Sequence, residues 1–99
     1  MDRIPFDVGR AVLSTQGRGE GRYFVVIGLP EEGYVLMSDG LTRKLDHPKK
    51  KKTKHLRPKP VRMEGLEEKL RSGQLLDSDI RRFLREHDMG LEQPLCKED

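Results

Sequence analysis

Hydrophobic positions recur at two different periods along this chain, and the change falls near residue 60. In the first half they come in short, β-branched runs. Residues 8–14 are rich in Val, Ala and Leu and stop at Thr15, Gln16 and Gly17. Residues 23–29 are almost continuously apolar, too short for a helix and β-branched, which predicts a buried strand. Pro30, Glu31, Glu32 and Gly33 signal a turn. Residues 34–38 predict the next strand, stopped by the turn dipeptide Asp39-Gly40. Residues 43–46 predict a short fourth strand and residues 55–61 a fifth. Pro58 and Pro60 confine that fifth strand to a sheet edge, because proline has no N–H to give to a ladder. Four or five short strands with tight turns predict a small closed or nearly closed barrel.

Beyond residue 60 the period becomes helical. Met63, Leu66 and Leu70 share a face, and Ser72-Gly73 stops that helix, with Gly73 as a left-handed cap. Asp77, Ser78 and Asp79 supply N-cap chemistry for a second helix and place both carboxylates at the positive end of its dipole. Ile80, Phe83, Leu84 and His87 follow at i, i+3, i+4 and i+7, which predicts one apolar face, with Arg81, Arg82 and Arg85 outside. Gly90 ends the pattern. The chain therefore reads as mainly β with C-terminal helices, an α+β domain. Residues 1–62 form the barrel, with a basic segment at 49–62. Residues 63–90 form a helical hairpin and residues 91–99 a frayed acidic tail.

Composition narrows the function. The 99 residues have a mass of 11.4 kDa, enough for one small domain. Only 33% are hydrophobic, five are aromatic and none is Trp. Such a core fills a small barrel but does not build the walls of a deep substrate pocket. No Ser/His/Asp set is identifiable, so the expectation is a protein without catalytic residues, cofactor or small-molecule substrate. No apolar run approaches the ~20 residues of a membrane span, and no segment resembles an export signal, so no membrane partner is expected. Cys96 is the single cysteine, which excludes an internal disulfide and a CxxC metal site. With His47, His55 and His87 it makes no recognised metal pattern. A reducing cytoplasm follows as the expected compartment.

Charge changes the picture more. The net charge is +3, but residues 1–48 carry −1, residues 49–62 carry +8 and residues 63–99 carry −4. The central block contains Lys49, Lys50, Lys51, Lys52, Lys54, His55, Arg57 and Lys59 and no acid. Such a block repels itself unless an anion or a solvated surface accepts it. A partnerless solvated loop, an anionic lipid surface and a nuclear-localisation signal share this pattern. No amphipathic helix with bulky apolar anchors accompanies it, which argues against lipid. Lys and Arg that neutralise phosphates release condensed counterions, so a polynucleotide is the partner that this charge density favours.

A second unusual stretch is Gly17-Arg18-Gly19-Glu20-Gly21-Arg22. Its alternating glycines Gly17, Gly19 and Gly21 permit backbone shapes closed to other residues and allow close approach to phosphate. Arg18 and Arg22 offer planar, multidentate donors. A P-loop is excluded, because no Gly-Lys-Ser/Thr ending follows and a strand stands where its helix would begin. Tyr23, Phe24 and Tyr34 could stack on bases; a barrel this small needs most of them inside, which leaves Tyr34 as the RNA candidate. His87, on an apolar helical face, is expected to pack, whereas His55 joins the anion site.

These residues carry a resemblance. The stretch 8–14, then Gly17, then Gly21 to Ile27, then 34–40 resembles a KOW motif, a strand–loop–strand signature around a key glycine. With Arg43, Lys44 and the Pro48-led lysine run, residues 6–57 are similar to small bacterial KOW-containing RNA-binding proteins. Those are relatives of the eukaryotic-type large-subunit ribosomal proteins numbered fourteen and twenty-seven. The resemblance implies an SH3-like barrel that binds structured RNA, ribosomal in the family. It implies that Arg18, Arg22, Arg43, Lys44 and the lysines of 49–54 face that RNA, with ribosomal proteins as further neighbours and a role in translation. The acidic helical ending departs from the ribosomal pattern and leaves open a stable component or an accessory factor. The rival class is a protein-interaction module of the transcription or translation machinery, docking a peptide or polymerase through the barrel or the acidic helices.

Overall fold

A computed structural model describes residues 4–17, 20–87 and 89. Five strands and two helices follow in chain order: β1 (Arg10–Ser14), β2 (Tyr23–Gly28), β3 (Tyr34–Ser38), β4 (Lys49–Lys52), β5 (Leu56–Arg62), α1 (Leu66–Ser72) and α2 (Asp77–Glu86). One antiparallel sheet holds all the strands in the order β4-β3-β2-β1-β5. The α+β, mainly-β class matches the expectation from periodicity. Both prolines lie in β5, which pairs only with β1 and forms an edge, as the missing N–H groups require.

The sheet is open, since no ladder joins β4 to β5 among the described residues. These two edges are nevertheless linked by a single 3₁₀ turn, Thr53–His55. A link of three residues spans little more than 10 Å, so the sheet must curl until the end of β4 approaches the start of β5. The turn is held at both sides. Thr53 N–H donates to the Gly33 carbonyl at 2.9 Å, and the His55 carbonyl accepts from Thr15 N–H at 3.0 Å.

Alternation along β1–β3 creates two apolar layers. Val12, Phe24, Val26, Val35, Met37 and Leu56 pack on one face, with Phe6 against them. Val25 and Ile27 point the other way and meet Leu66, Leu75, Ile80 and Leu84 of the helical segment. The helices therefore pack on the sheet rather than swinging from it. Gly73 caps α1 at φ 78°, as expected.

Several local expectations are corrected. Residues 43–46 form turns, and the fourth strand is the lysine run itself. The N-cap of α2 is Leu76, not an aspartate; Asp79 sits one turn in and its carboxylate accepts the Leu76 N–H at 3.0 Å. That hydrogen bond holds the Asp79 carboxyl below its ordinary value, against some desolvation. His87 is exposed rather than packed inside, although its ring lies 4.8 Å from that of Phe83. Arg81 is exposed on the outer side as expected, and from there its Nη1 donates to the Gly40 carbonyl at 2.7 Å. The predictions for Gly90, for Cys96 and for the tail at 91–99 fall outside the described residues.

At the opposite sheet end, Asp7 joins Arg10 (2.8 Å) and Arg62 (3.1 Å). Partial burial pushes the Asp7 carboxyl up, but the Arg10 hydrogen bond and the two guanidinium charges outweigh it and hold it below the ordinary carboxylate value.

Candidate nucleic-acid interface

One end of the sheet collects most of the cations. There β1 and β3 finish while β2, β4 and β5 begin. Arg22 flanks β2, and its carbonyl accepts the Ser14 N–H at 2.9 Å. Arg57 lies opposite Leu13 in the β1–β5 ladder. His55 is fixed to Thr15 through two bonds to its carbonyl, from the Thr15 N–H and from Oγ1 at 2.9 Å. The last residues of β1 thus bring together side chains separated by more than thirty positions in the chain.

The lysine run starts at this end with Lys49 and leads away from it, so that Lys52 lies opposite Tyr34 at the start of β3. The curl and the 3₁₀ turn then bring the chain back to Thr15 at His55. β4 alternates: Lys49 and Lys51 are half-buried, opposite Met37 and Val35, while Lys50 and Lys52 are exposed. Long aliphatic stems can cover apolar neighbours while the ammonium stays wet. Lys51 Nζ donates to the Gln16 carbonyl at 2.8 Å, which fastens β4 to the residue that leads into the glycine loop. A Cβ at Gly17 would stand 3.0 Å from that ammonium. Gly17 and Gly21 have φ of 89° and 88°, in the left-handed region that glycine enters freely. Arg18 and Gly19, two of the expected site residues, lie outside the described residues.

Arg43 and Lys44 reach the same end on the loop after β3. That loop is rigidly wound around Asp39, which is 5% exposed. Its carboxylate accepts from the Leu41 N–H (2.9 Å), the Arg43 N–H (2.8 Å) and Thr42 Oγ1 (2.6 Å). Three local donors satisfy the buried carboxylate and leave Arg43 and Lys44 exposed on a fixed backbone.

The expected residues separate by role. Among the described residues, Arg22, Arg43, Lys44, Lys49, Lys52, Lys54, Arg57 and Lys59 make no side-chain hydrogen bond or ion pair. Lys51 is spent on the glycine loop. Lys50 is paired with Glu31 at 3.1 Å, and its Nζ lies 4.9 Å from the Tyr34 ring centroid. Lys59 stands apart from the cationic end, in mid-β5, where its carbonyl accepts from Arg10 Nη1 at 3.3 Å. Glu20 and Asp46 are the exposed acids nearest the cluster in sequence, and Asp46 faces His47 at 3.3 Å.

No family model matches this chain, and no curated protein matches it. The KOW resemblance therefore rests on the residues quoted for it. Among the described residues no group of His, Cys, Asp and Glu could hold a metal ion, and no helix is long and apolar enough to cross a membrane.

Two positioning residues escaped the sequence reading. Asp77 Oδ1 accepts the Leu45 N–H at 2.7 Å, and Arg81 holds Gly40. Together they clamp α2 onto both ends of the segment that carries Arg43 and Lys44. Their spacing of i and i+4 on one helix face was the available signal, but nothing in the sequence identifies as the partner a loop whose bonded residues lie 32 and 41 positions away.

Proposed function

We propose that this protein binds structured RNA through the cationic end of its sheet. Phosphates are neutralised by Lys49, Lys52, Lys54, Arg57, Arg22, Arg43 and Lys44, and the glycine loop is fitted to RNA shape. Ribosomal RNA, in a ribosome-associated or translation-related role, is the target that the KOW resemblance suggests. The observation that carries the reading is the Lys51–Gln16 bond, which joins the lysine strand to the Gly/Arg loop. The curl imposed by the three-residue link between the edge strands suits an SH3-like barrel of the kind that the resemblance implies. Backbone contacts dominate such a surface, so affinity is ionic and sequence readout modest.

The test is a salt titration with a fragment of ribosomal RNA. With about six phosphate contacts, affinity should fall roughly a thousandfold between 50 and 200 mM salt. Replacing Lys49, Lys52 and Lys54 together with Gln should reduce the log–log slope by about 2 to 3. These three are chosen because Lys50 and Lys51 have structural contacts whose loss would confuse the result. An unchanged slope in the triple variant refutes the mechanism.

A further inference from the structure

The turn between β2 and β3 borders a hollow of about 390 Å³. Phe6, Leu29, Tyr34 and Thr53 line it, and Glu31 and Glu32 stand in its wall. Three features distinguish it from an accidental dimple. Leu29 is 54% exposed although it is a large apolar residue. Thr53 is the one uncharged member of the run from Lys49 to Lys54, so the hollow opens directly beside the lysine strand. Tyr34, whose ring has Lys50 Nζ 4.9 Å from its centroid, is also the cross-strand partner of Lys52, a lysine with no ion pair among the described residues.

Apolar walls with an aromatic ring, next to solvated lysines, match the two halves of a nucleotide. A base stacks on the ring while its phosphate meets the ammonium groups. Glu31 is accounted for by its pair with Lys50, but Glu32 has no such partner among the described residues and repels a polyanion. It becomes intelligible as an acceptor, since an ionised carboxylate has only acceptor oxygens and, exposed as Glu32 is, can exchange its water for the N–H donors of a ligand. Guanine offers two adjacent donors, N1–H and the 2-amino group, on one edge. Adenine, cytosine and uracil each offer donors from a single nitrogen on that edge. Glu32 makes no ion pair among the described residues and is free to accept, whereas Glu31 already holds Lys50 at 3.1 Å.

We infer that the hollow is a subsite for one unstacked guanine of the RNA held by the lysine strand, with Tyr34 as the stacking platform and Glu32 as the acceptor. This inference rests on the RNA-binding reading above and adds base selectivity to a surface otherwise governed by phosphate.

The experiment compares fluorescent hexauridylate with oligomers that carry a single central guanosine, adenosine or abasic site, measured by anisotropy at one low salt concentration. Guanosine should bind at least fivefold tighter than the abasic oligomer, and more tightly than adenosine. Glu32→Gln, at an exposed position, should reduce the guanosine-over-adenosine ratio toward one while leaving hexauridylate affinity unchanged or slightly raised. Tyr34→Leu should weaken guanosine and adenosine oligomers alike; should that variant not fold, Leu29→Ser probes the same wall from the surface. Equal affinity for all four oligomers overturns the subsite but leaves RNA binding standing, whereas no binding of any of them, or of the ribosomal fragment, overturns both. A titration with N-acetyl-arginine methylamide tests the competing occupant. Amide shifts at Gly33 and Thr53 from that probe, with none from guanosine monophosphate, would assign the hollow to a cationic peptide and refute the inference.

Discussion

At the scale of single residues, charge does two different jobs in this protein, and sequence alone does not separate them. Lys50 and Lys51 are neighbours in one run, yet one is bonded to Glu31 and the other to a loop carbonyl, while Lys49 and Lys52 beside them are unpartnered. The difference arises from strand alternation and from which loop each side chain meets, which are tertiary facts. Asp7 is a further case of a charge with a structural role, since it gathers Arg10 and Arg62. Its folded-state pKa lies below the unfolded value, so the folded state favours the ionised form. The stability that it contributes is therefore fully present above the unfolded value of about 3.9 and lost as pH falls through the lower, folded value. Its side chain is 39% exposed, so the effect is modest, within about 0.2–1 kcal/mol. Denaturant titrations of the parent and of Asp7→Asn should differ by that amount at pH 6 and converge near pH 2. A gap that persists at pH 2 would assign the loss to packing instead of ionisation.

At the scale of elements, legibility follows how much of each element's pattern is apolar. β2 was plain because every position from Phe24 to Ile27 is buried. The edge position of β5 was plain because proline chemistry is local. β4 was hidden because its core-facing positions are lysines whose stems do the covering, so no apolar alternation marks it. Lysine on an edge strand also discourages pairing with other chains, which gives the composition a second physical reason. The candidate site was legible as charge and glycine, but not as a clamp. The Asp39-Gly40 turn looked generic, whereas Gly40 is where α2 lies directly on the loop. Its φ is +72°, and a Cβ there would collide with the Asp77 carbonyl. Gly40→Ala must therefore either strain the backbone or lift the helix. It should destabilise the protein by about 1–3 kcal/mol, and amide exchange at Leu45, whose N–H is held by Asp77, should accelerate more than at Val26 in the sheet. Uniform acceleration at both amides would mean that the helix is not clamped there.

At the scale of the whole molecule, β2 is the shared wall of two layers: Phe24 and Val26 serve one, Val25 and Ile27 the other. Neither layer is large, and the helices have little apolar partner surface besides this sheet. It follows that sheet and helices form one cooperative unit, and that the cationic end keeps its shape only while the helices remain docked. Ile80 is the cleanest place to test this, since it is fully buried, sits in the sheet–helix layer and is not itself a proposed RNA contact. Ile80→Ala should cost about 2–5 kcal/mol, a large share of the stability of a domain this size. The loss should appear as a single transition, with tyrosine fluorescence reporting the sheet and far-ultraviolet circular dichroism at 222 nm reporting the helices coinciding at one midpoint. Two separated transitions, with the helices melting first, would show that the sheet stands alone. The surface that carries Arg43 and Lys44 would then have to be stable without its clamp. Measuring RNA affinity between the two midpoints would decide that directly, because an undocked α2 releases both Gly40 and Leu45 and so frees the loop that presents those two cations.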